Sequence, residues 1–315
     1  MNIVINADGG RNIGMGHIMR TLVLAKELRN HNQVSYVCRQ DEQFEMGRKK
    51  VEEEGFYVYN KLSTGGDVLI TDSYEVNDKY FEEVRKHYNY LIYIDDLNLF
   101  YHNVDLLINQ NINAEELNYS EKNLLLGARY VLLRDEFRSC VVKPVKEQVT
   151  DILITMGGAD PHNFSAQLVC NLMKLGYNLH VVVGPAFSNK DTLSSFQGKK
   201  VRLYENADMK ELMEKCDIAV SACGSTLYEL CACGTPCYGV ILAENQRKSA
   251  EKFRELGIVT NIYDYRNIDW ILLGEDVNNL CNNYEKRKEV SRSMQSMVDG
   301  NGAKRIADYI ETHLS

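Results

Sequence analysis

A histidine stands where a glycine-rich loop gives way to a helix. Asp8-Gly9-Gly10 and then Gly14-Met15-Gly16-His17 follow a short apolar run, and an amphipathic stretch begins at once. Glycines there let the chain turn tightly and bring backbone N–H groups close to a ligand. The spacing is not a dinucleotide fingerprint, because Met19 occupies the third glycine position. The positive end of a helix disfavours an imidazolium, so His17 is a candidate general base with a neutral ring; the same place also suits a capping or packing histidine. Arg20, one turn on, reads first as an ion-pairing residue and second as a substrate contact.

Four further clusters sit where apolar runs end. Asp72, Tyr74, Asp95, Asp96, Asn109 and Asn111 have the groups that recognise sugar hydroxyls and amides, and equally the groups that cap helices. Met156-Gly157-Gly158-Ala159-Asp160 repeats the anion-binding logic of a glycine loop. In Ser221-Ala222-Cys223-Gly224-Ser225-Thr226-Leu227-Tyr228-Glu229, Gly224 and Ser225 open a helix and offer a second anion site. Glu229, one turn in, can accept hydrogen bonds from a ribose diol or lie on the surface as a charge. Glu244-Asn245-Gln246 again follows an apolar run and starts a helix.

The elements that position these residues alternate short apolar runs with longer amphipathic stretches, the pattern of βαβ units. Strands are expected at 3–5, 34–37, 68–70, 90–94 and 105–108, with helices at 17–30, 44–54 and 77–87. The stretch 138–150, with Pro144, lacks periodicity and reads as a linker. Beyond it come strands at 151–155, 179–183, 201–203, 218–220 and 237–242, and helices at 163–175, 209–215 and 225–233. A helical tail from 277 breaks at Gly300-Asn301-Gly302. The expected fold is α/β: two Rossmann-like domains facing a cleft, over 1–140 and 151–280, with a helical segment 281–315 packing back on the first. Ligands of such sheets bind beyond the carboxyl ends of the strands.

A chain of 315 residues suits two domains, and its net charge of −8 lacks the basic footprint of a nucleic-acid binder. The amino terminus has neither the basic start nor the apolar region of a signal peptide, and no apolar run reaches the ~20 residues of a membrane span. Nine scattered cysteines read as reduced thiols in a cytoplasmic protein. Cys231, Cys233 and Cys237 miss the usual zinc spacing and are expected as packed thiols, with no metal and no cofactor implied.

Together the motifs resemble the glycosyltransferase-B superfamily. The closer similarity is to the UDP-sugar hydrolases of pseudaminic acid biosynthesis and the related spore-coat polysaccharide proteins. The likeness covers most of the chain and rests on Ile13-Gly14-Met15-Gly16-His17-Ile18-Met19-Arg20, Thr71-Asp72-Ser73-Tyr74, Asp95-Asp96, Leu133-Arg134-Asp135-Glu136-Phe137, Met156 to Asp160 and Glu244-Asn245-Gln246. It implies hydrolysis of UDP-2,4-diacetamido-2,4,6-trideoxy-β-L-altropyranose by water attack at the anomeric carbon, with inversion. By that resemblance His17 is the catalytic histidine, and Tyr74 and Asn245 lie near the reacting sugar. Met209, Ser225, Thr226 and Glu229 fall where relatives hold uridine, ribose and phosphate. Gly14, Gly16, Arg20, Asp72, Asp96, Asn109, Arg134, Gly157, Gly158, Asp160 and Gln246 complete the expected substrate set, and Asp8 or Tyr74 positions the water. The family's Arg-x-Asp at the end of the first strand is replaced here by Asn6-Ala7-Asp8.

The chemistry is self-consistent. Ordinary glycosidases need an acid for a poor leaving group and a second carboxylate for water. UDP already leaves well, so one base can suffice, with helix-terminal amides meeting the charge on the departing phosphate. A UDP-sugar is the expected partner of a monomer or weak homo-oligomer. A glycosyltransferase, a hydrolysing epimerase and a non-catalytic nucleotide-sugar-binding subunit stand as alternatives.

Overall fold

The computed structural model describes residues 1–10, 13–62, 65–140 and 144–314. Residues 141–143 of the expected linker, and Ser315 at the end of the tail, lie outside the described residues. The chain divides into two compact units, Met1–Arg138 with Gly300–Ser315, and Ser139–Asp299.

Unit 1 runs β1 (Asn2–Ala7), α1 (Gly16–Leu28), β2 (Gln33–Val37), α2 (Glu45–Glu53), β3 (Tyr57–Tyr59), β4 (Gly66–Asp72), α3 (Asp78–Val84), β5 (Tyr88–Ile94), β6 (Leu106–Asn109) and β7 (Leu124–Leu126). Its seven strands are all parallel, in the order β3-β2-β1-β4-β5-β6-β7. Apolar runs form the central strands because helices cover both faces of a parallel sheet. Ile3, Val4 and Ile5 of β1 are at most 1% exposed. The order reverses between β1 and β4, the place where an open α/β sheet leaves a crevice at its carboxyl edge.

Unit 2 runs β8 (Asp151–Thr155), α4 (Phe164–Leu172), β9 (Asn178–Val182), α5 (Lys190–Ser194), β10 (Val201–Tyr204), α6 (Met209–Lys215) and β11 (Ile218–Ala222). It continues through α7 (Thr226–Cys233), β12 (Cys237–Ile241), α8 (Arg247–Glu255), β13 (Ile262–Asp264), α9 (Trp270–Cys281) and α10 (Tyr284–Met297). Its six parallel strands lie in the order β10-β9-β8-β11-β12-β13, with the reversal between β8 and β11. The cysteines of α7 and β12, Cys231, Cys233 and Cys237, are buried, and burial pushes the Cys237 thiol up to about 12.

The tail does not travel as one piece from 281. Helix α10 stays with unit 2, and α11 (Gly302–His313) belongs to unit 1. Ala303, Ile306, Ala307 and Ile310 of α11 share one apolar core with Ile18, Leu22, Ala25 and Leu28 of α1. The helix that carries His17 therefore rests on the end of the chain. Gly302 makes this docking possible, since a Cβ there would lie 2.1 Å from the Val131 carbonyl oxygen. Backbone cannot retreat as a flexible side chain can, so Gly302→Ala is expected to lower stability by about 1–3 kcal/mol. A melting curve followed by circular dichroism checks this; an unchanged midpoint would mean that the helix end shifts freely.

Candidate active site

The register of β1 against β4 sets Ala7 beside Asp72, so the turn into α1 starts next to the carboxylate that ends β4. Gly14 takes φ +75° in that turn, a region that favours glycine, and a Cβ on Gly16 would meet nothing within 4 Å. Gly10 has another use: a Cβ there would lie 1.9 Å from the Gln43 carbonyl oxygen, so this glycine serves close backbone packing.

His17 is 7% exposed, and its Nδ1 lies 2.6 Å from Oδ1 of the fully buried Asp72. Arg20 grips the same carboxylate with a fork, Nε to Oδ2 and Nη2 to Oδ1, both at 2.6 Å. Its Nη1 meets both oxygens of Asp96 at 3.0 Å. The Tyr74 hydroxyl donates to Asp96 Oδ2 at 2.6 Å, and the Asn111 amide to Oδ1 at 2.8 Å. The Tyr74 ring, about half exposed, meets the His17 ring edge-on with centroids 4.6 Å apart. Burial alone would raise the Asp72 carboxyl; the charges of Arg20 and His17 outweigh it and hold it down from 3.8 to about 2. Asp96 is likewise held below its ordinary range, with burial outweighed chiefly by Arg20. Burial and then Asp96 push the Tyr74 phenol well up, so it remains a donor.

Arg20 therefore sits in ion pairs, and both Asp72 and Asp96 are occupied by protein groups. Asp8, expected to help position water, instead accepts from the Arg39 backbone N–H at 2.8 Å and from Arg39 Nε at 2.6 Å, which gives it a structural use. Asn109 is fully buried; its amide donates to the Tyr119 hydroxyl at 2.8 Å and its oxygen takes the Asn111 N–H at 2.9 Å. Tyr119 in turn donates to Asp95, which also accepts from Leu97 and Asn98 N–H as a turn cap. Arg134 pairs with Glu136 at 2.8 Å and lies 5.0 Å from the Phe137 ring centroid. Nothing in the sequence signals the Arg39 and Tyr119 partnerships, because each joins residues distant along the chain.

In unit 2 the two expected anion sites differ. Asp160 accepts from the Phe164 N–H at 2.8 Å and the Ser165 N–H at 2.7 Å, so the first turn of α4 already carries a carboxylate. Gly157 takes φ +80°, and the loop packs on Gly184, where a Cβ would lie 2.5 Å from the Gly157 and Gly158 carbonyl oxygens. The start of α7 is open by contrast. Ser225 makes no side-chain cap, its residue is exposed, and a Cβ on Gly224 would meet nothing within 4 Å. The amides of Ser225 and Thr226 precede Leu227 N and Tyr228 N, which donate back to the carbonyls of Gly224 and Ser225. Glu229 is buried at 7% exposure, not a surface charge. Met209 begins α6, where Asp208 caps the Glu211 N–H. Gln246 turns its oxygen back to the Leu242 N–H at 2.8 Å, whereas Asn245 is exposed.

Asp160→Ala is expected to lower stability by about 1 kcal/mol, as a lost helix cap does, with UDP affinity unchanged. Chemical denaturation beside calorimetric titration with UDP checks the pair. A collapse of UDP binding would give the carboxylate a direct part in the site.

The fold, two doubly wound parallel sheets, is that of the glycosyltransferase-B class. Residues 147–310, more than half of the chain, match the Glycosyltransferase family 28 C-terminal domain, and the chain belongs to that family. MurG of Acinetobacter baumannii superposes with a TM-score of 0.72 over 99% of both chains at 14% identity, a likeness of fold. An uncharacterized protein of Methanocaldococcus jannaschii is 31% identical over 277 residues, 78% of this chain; the chain spans only 56% of that relative. The spore coat polysaccharide biosynthesis protein SpsG of Bacillus subtilis is 21% identical over 99% of this chain and 98% of its own. The UDP-2,4-diacetamido-2,4,6-trideoxy-beta-L-altropyranose hydrolase of Campylobacter jejuni is 24% identical over 79% of this chain and 95% of its own. Among the described residues, no helix is long and apolar enough to cross a membrane.

Proposed function

We propose that this protein hydrolyses a UDP-linked 2,4-diacetamido-2,4,6-trideoxy sugar at its anomeric carbon, with inversion, and releases UDP for surface-polysaccharide biosynthesis. The observation that carries the reading is the histidine in the first turn of α1, tied to Asp72 through one nitrogen and flanked by the half-exposed Tyr74. The relative named as a hydrolase of such a sugar nucleotide supports it.

His17 takes a proton from water as the water oxygen bonds to C1. The bond from C1 to the UDP oxygen breaks, and its electron pair leaves with UDP. No acid is required, because the diphosphate departs as a stable anion. The amides at Ser225 and Thr226 receive its charge at the open start of α7. Glu229 takes the ribose hydroxyls, Met209 packs near the uracil, and Tyr74 and Asn245 contact the sugar.

The test is UDP release across a panel of UDP-sugars with no acceptor present. Steady release matched by free sugar, selective for a diacetamido trideoxy sugar, is the expected result. Release that appears only when an acceptor alcohol is added makes the protein a transferase. UDP binding without turnover on any sugar makes it a binding subunit.

A further inference from the structure

We infer that Cys140 and Cys233 form a modification site: a peroxide converts the two thiols into a disulfide that staples the start of unit 2 to the end of α7.

The two sulfurs lie 3.6 Å apart, although the residues are 93 positions apart along the chain. They are already in contact, and must close by only about 1.6 Å to reach the length of an S–S bond. Both belong to unit 2, where Cys140 is the second residue and Cys233 ends α7. The end of α7 is held from two other sides. The Ser291 hydroxyl of α10 donates to the Gly234 carbonyl at 2.7 Å, and the Thr235 hydroxyl to the Met213 carbonyl of α6 at 2.6 Å. Cys140 is freer: it is half-buried and lies outside any helix or strand, so the movement falls on it. Among the described residues no group of three or more His, Cys, Asp or Glu could hold a metal ion, which leaves this pair thiol–disulfide chemistry.

Exposure sets the order of events. An oxidant reaches Cys140 before Cys233, which is 1% exposed. Burial pushes both thiols above their ordinary range, and the contact with Cys233 and the charge of Lys210 draw Cys140 part of the way back. The Cys140 sulfur attacks one oxygen of the peroxide, the O–O bond breaks, and the other oxygen leaves as water with the thiol proton. Cys140 is then a sulfenic acid. The Cys233 sulfur attacks it, the S–O bond breaks, and the hydroxide leaves as water with the Cys233 proton. Two thiols have lost two electrons and two protons, and the peroxide has become two waters. A dithiol reductant reverses the change. A link between residues so far apart in sequence restricts the unfolded chain, so the oxidised protein is the more stable one. The open start of α7 lies two turns from the staple, and UDP affinity should not change.

The test compares the full chain in dithiothreitol with the same protein after mild hydrogen peroxide. Peptide mapping without reduction should show Cys140 joined to Cys233. The melting midpoint should rise by roughly 5 °C or more, and dithiothreitol should return it. Cys140→Ser should melt like the reduced native protein and gain nothing from peroxide. Calorimetric titration with UDP should give one affinity for both native forms. Cys140 found as a sulfinic or sulfonic acid, or joined to a second chain, overturns the inference. So does a Cys140–Cys233 link that leaves the midpoint where it was. Should Cys140→Ser fail to fold, the mapping and the dithiothreitol-reversible shift of the native protein decide. None of these outcomes depends on the hydrolase reading.

Discussion

His17→Asn is expected to lose at least ~10²-fold in turnover while UDP binds with native affinity. Asparagine preserves a polar group near Asp72 but cannot accept the water proton. The proposed function gives the nucleotide to Ser225, Thr226 and Glu229, so its affinity should not depend on His17. Turnover by release of UDP, beside calorimetric titration with UDP, separates the two quantities. Native turnover in the variant would remove His17 from the chemistry. A joint loss of turnover and UDP affinity would mean instead that the residue shapes the binding site.

The second large effect concerns stability. Arg20→Met should destabilise the protein by about 3–5 kcal/mol, since it leaves the fully buried Asp72 and the partly buried Asp96 without their shared cation. The methionine fills similar volume, so the loss reports the charges and not a cavity. The direction of the pH dependence follows from Asp72, whose carboxyl is lowered from 3.8 to about 2 in the folded chain. A lowered folded-state value means stabilisation that is complete above the ordinary range and fades as pH falls toward about 2. In the variant the carboxylates lack their cation, so mild acid should restore part of the stability by protonating one of them. Urea denaturation at neutral and acidic pH reads both effects. A variant as stable as the native protein at neutral pH would mean that water reaches these carboxylates.

Much of this architecture is legible from apolar runs because central strands of a parallel sheet are buried on both faces. The strands that escape the pattern are β3, β7 and β13, each three residues long and at the edge of its sheet. One or two inward residues cannot establish an alternation, and in β3 Tyr57 and Tyr59 face outward. Helix α8 shows only its start in the sequence, because few of its residues are buried: Ala250 and Phe253 alone face the core.

The site was legible in part for a different reason. Glycine-rich stretches mark the loops after β1, β8 and β11, and His17 is found at the head of α1 as its position suggests. What a single sequence conceals is the choice of partner. A polar residue at a strand end caps a turn and holds a ligand with the same atoms. Asp160 on the α4 amides, Asp8 on Arg39 and Asn109 on Tyr119 are resolved only by geometry. The contact between His17 and Asp72 joins residues 55 positions apart, and only the adjacency of β1 and β4 brings them together.

The bond that breaks is the most direct test of the central claim. Turnover in oxygen-18 water, followed by mass spectrometry of the nucleotide product, should yield unlabelled UDP, because the water oxygen joins C1 of the sugar. UDP carrying oxygen-18 on its terminal phosphate would place the attack at phosphorus and contradict the account.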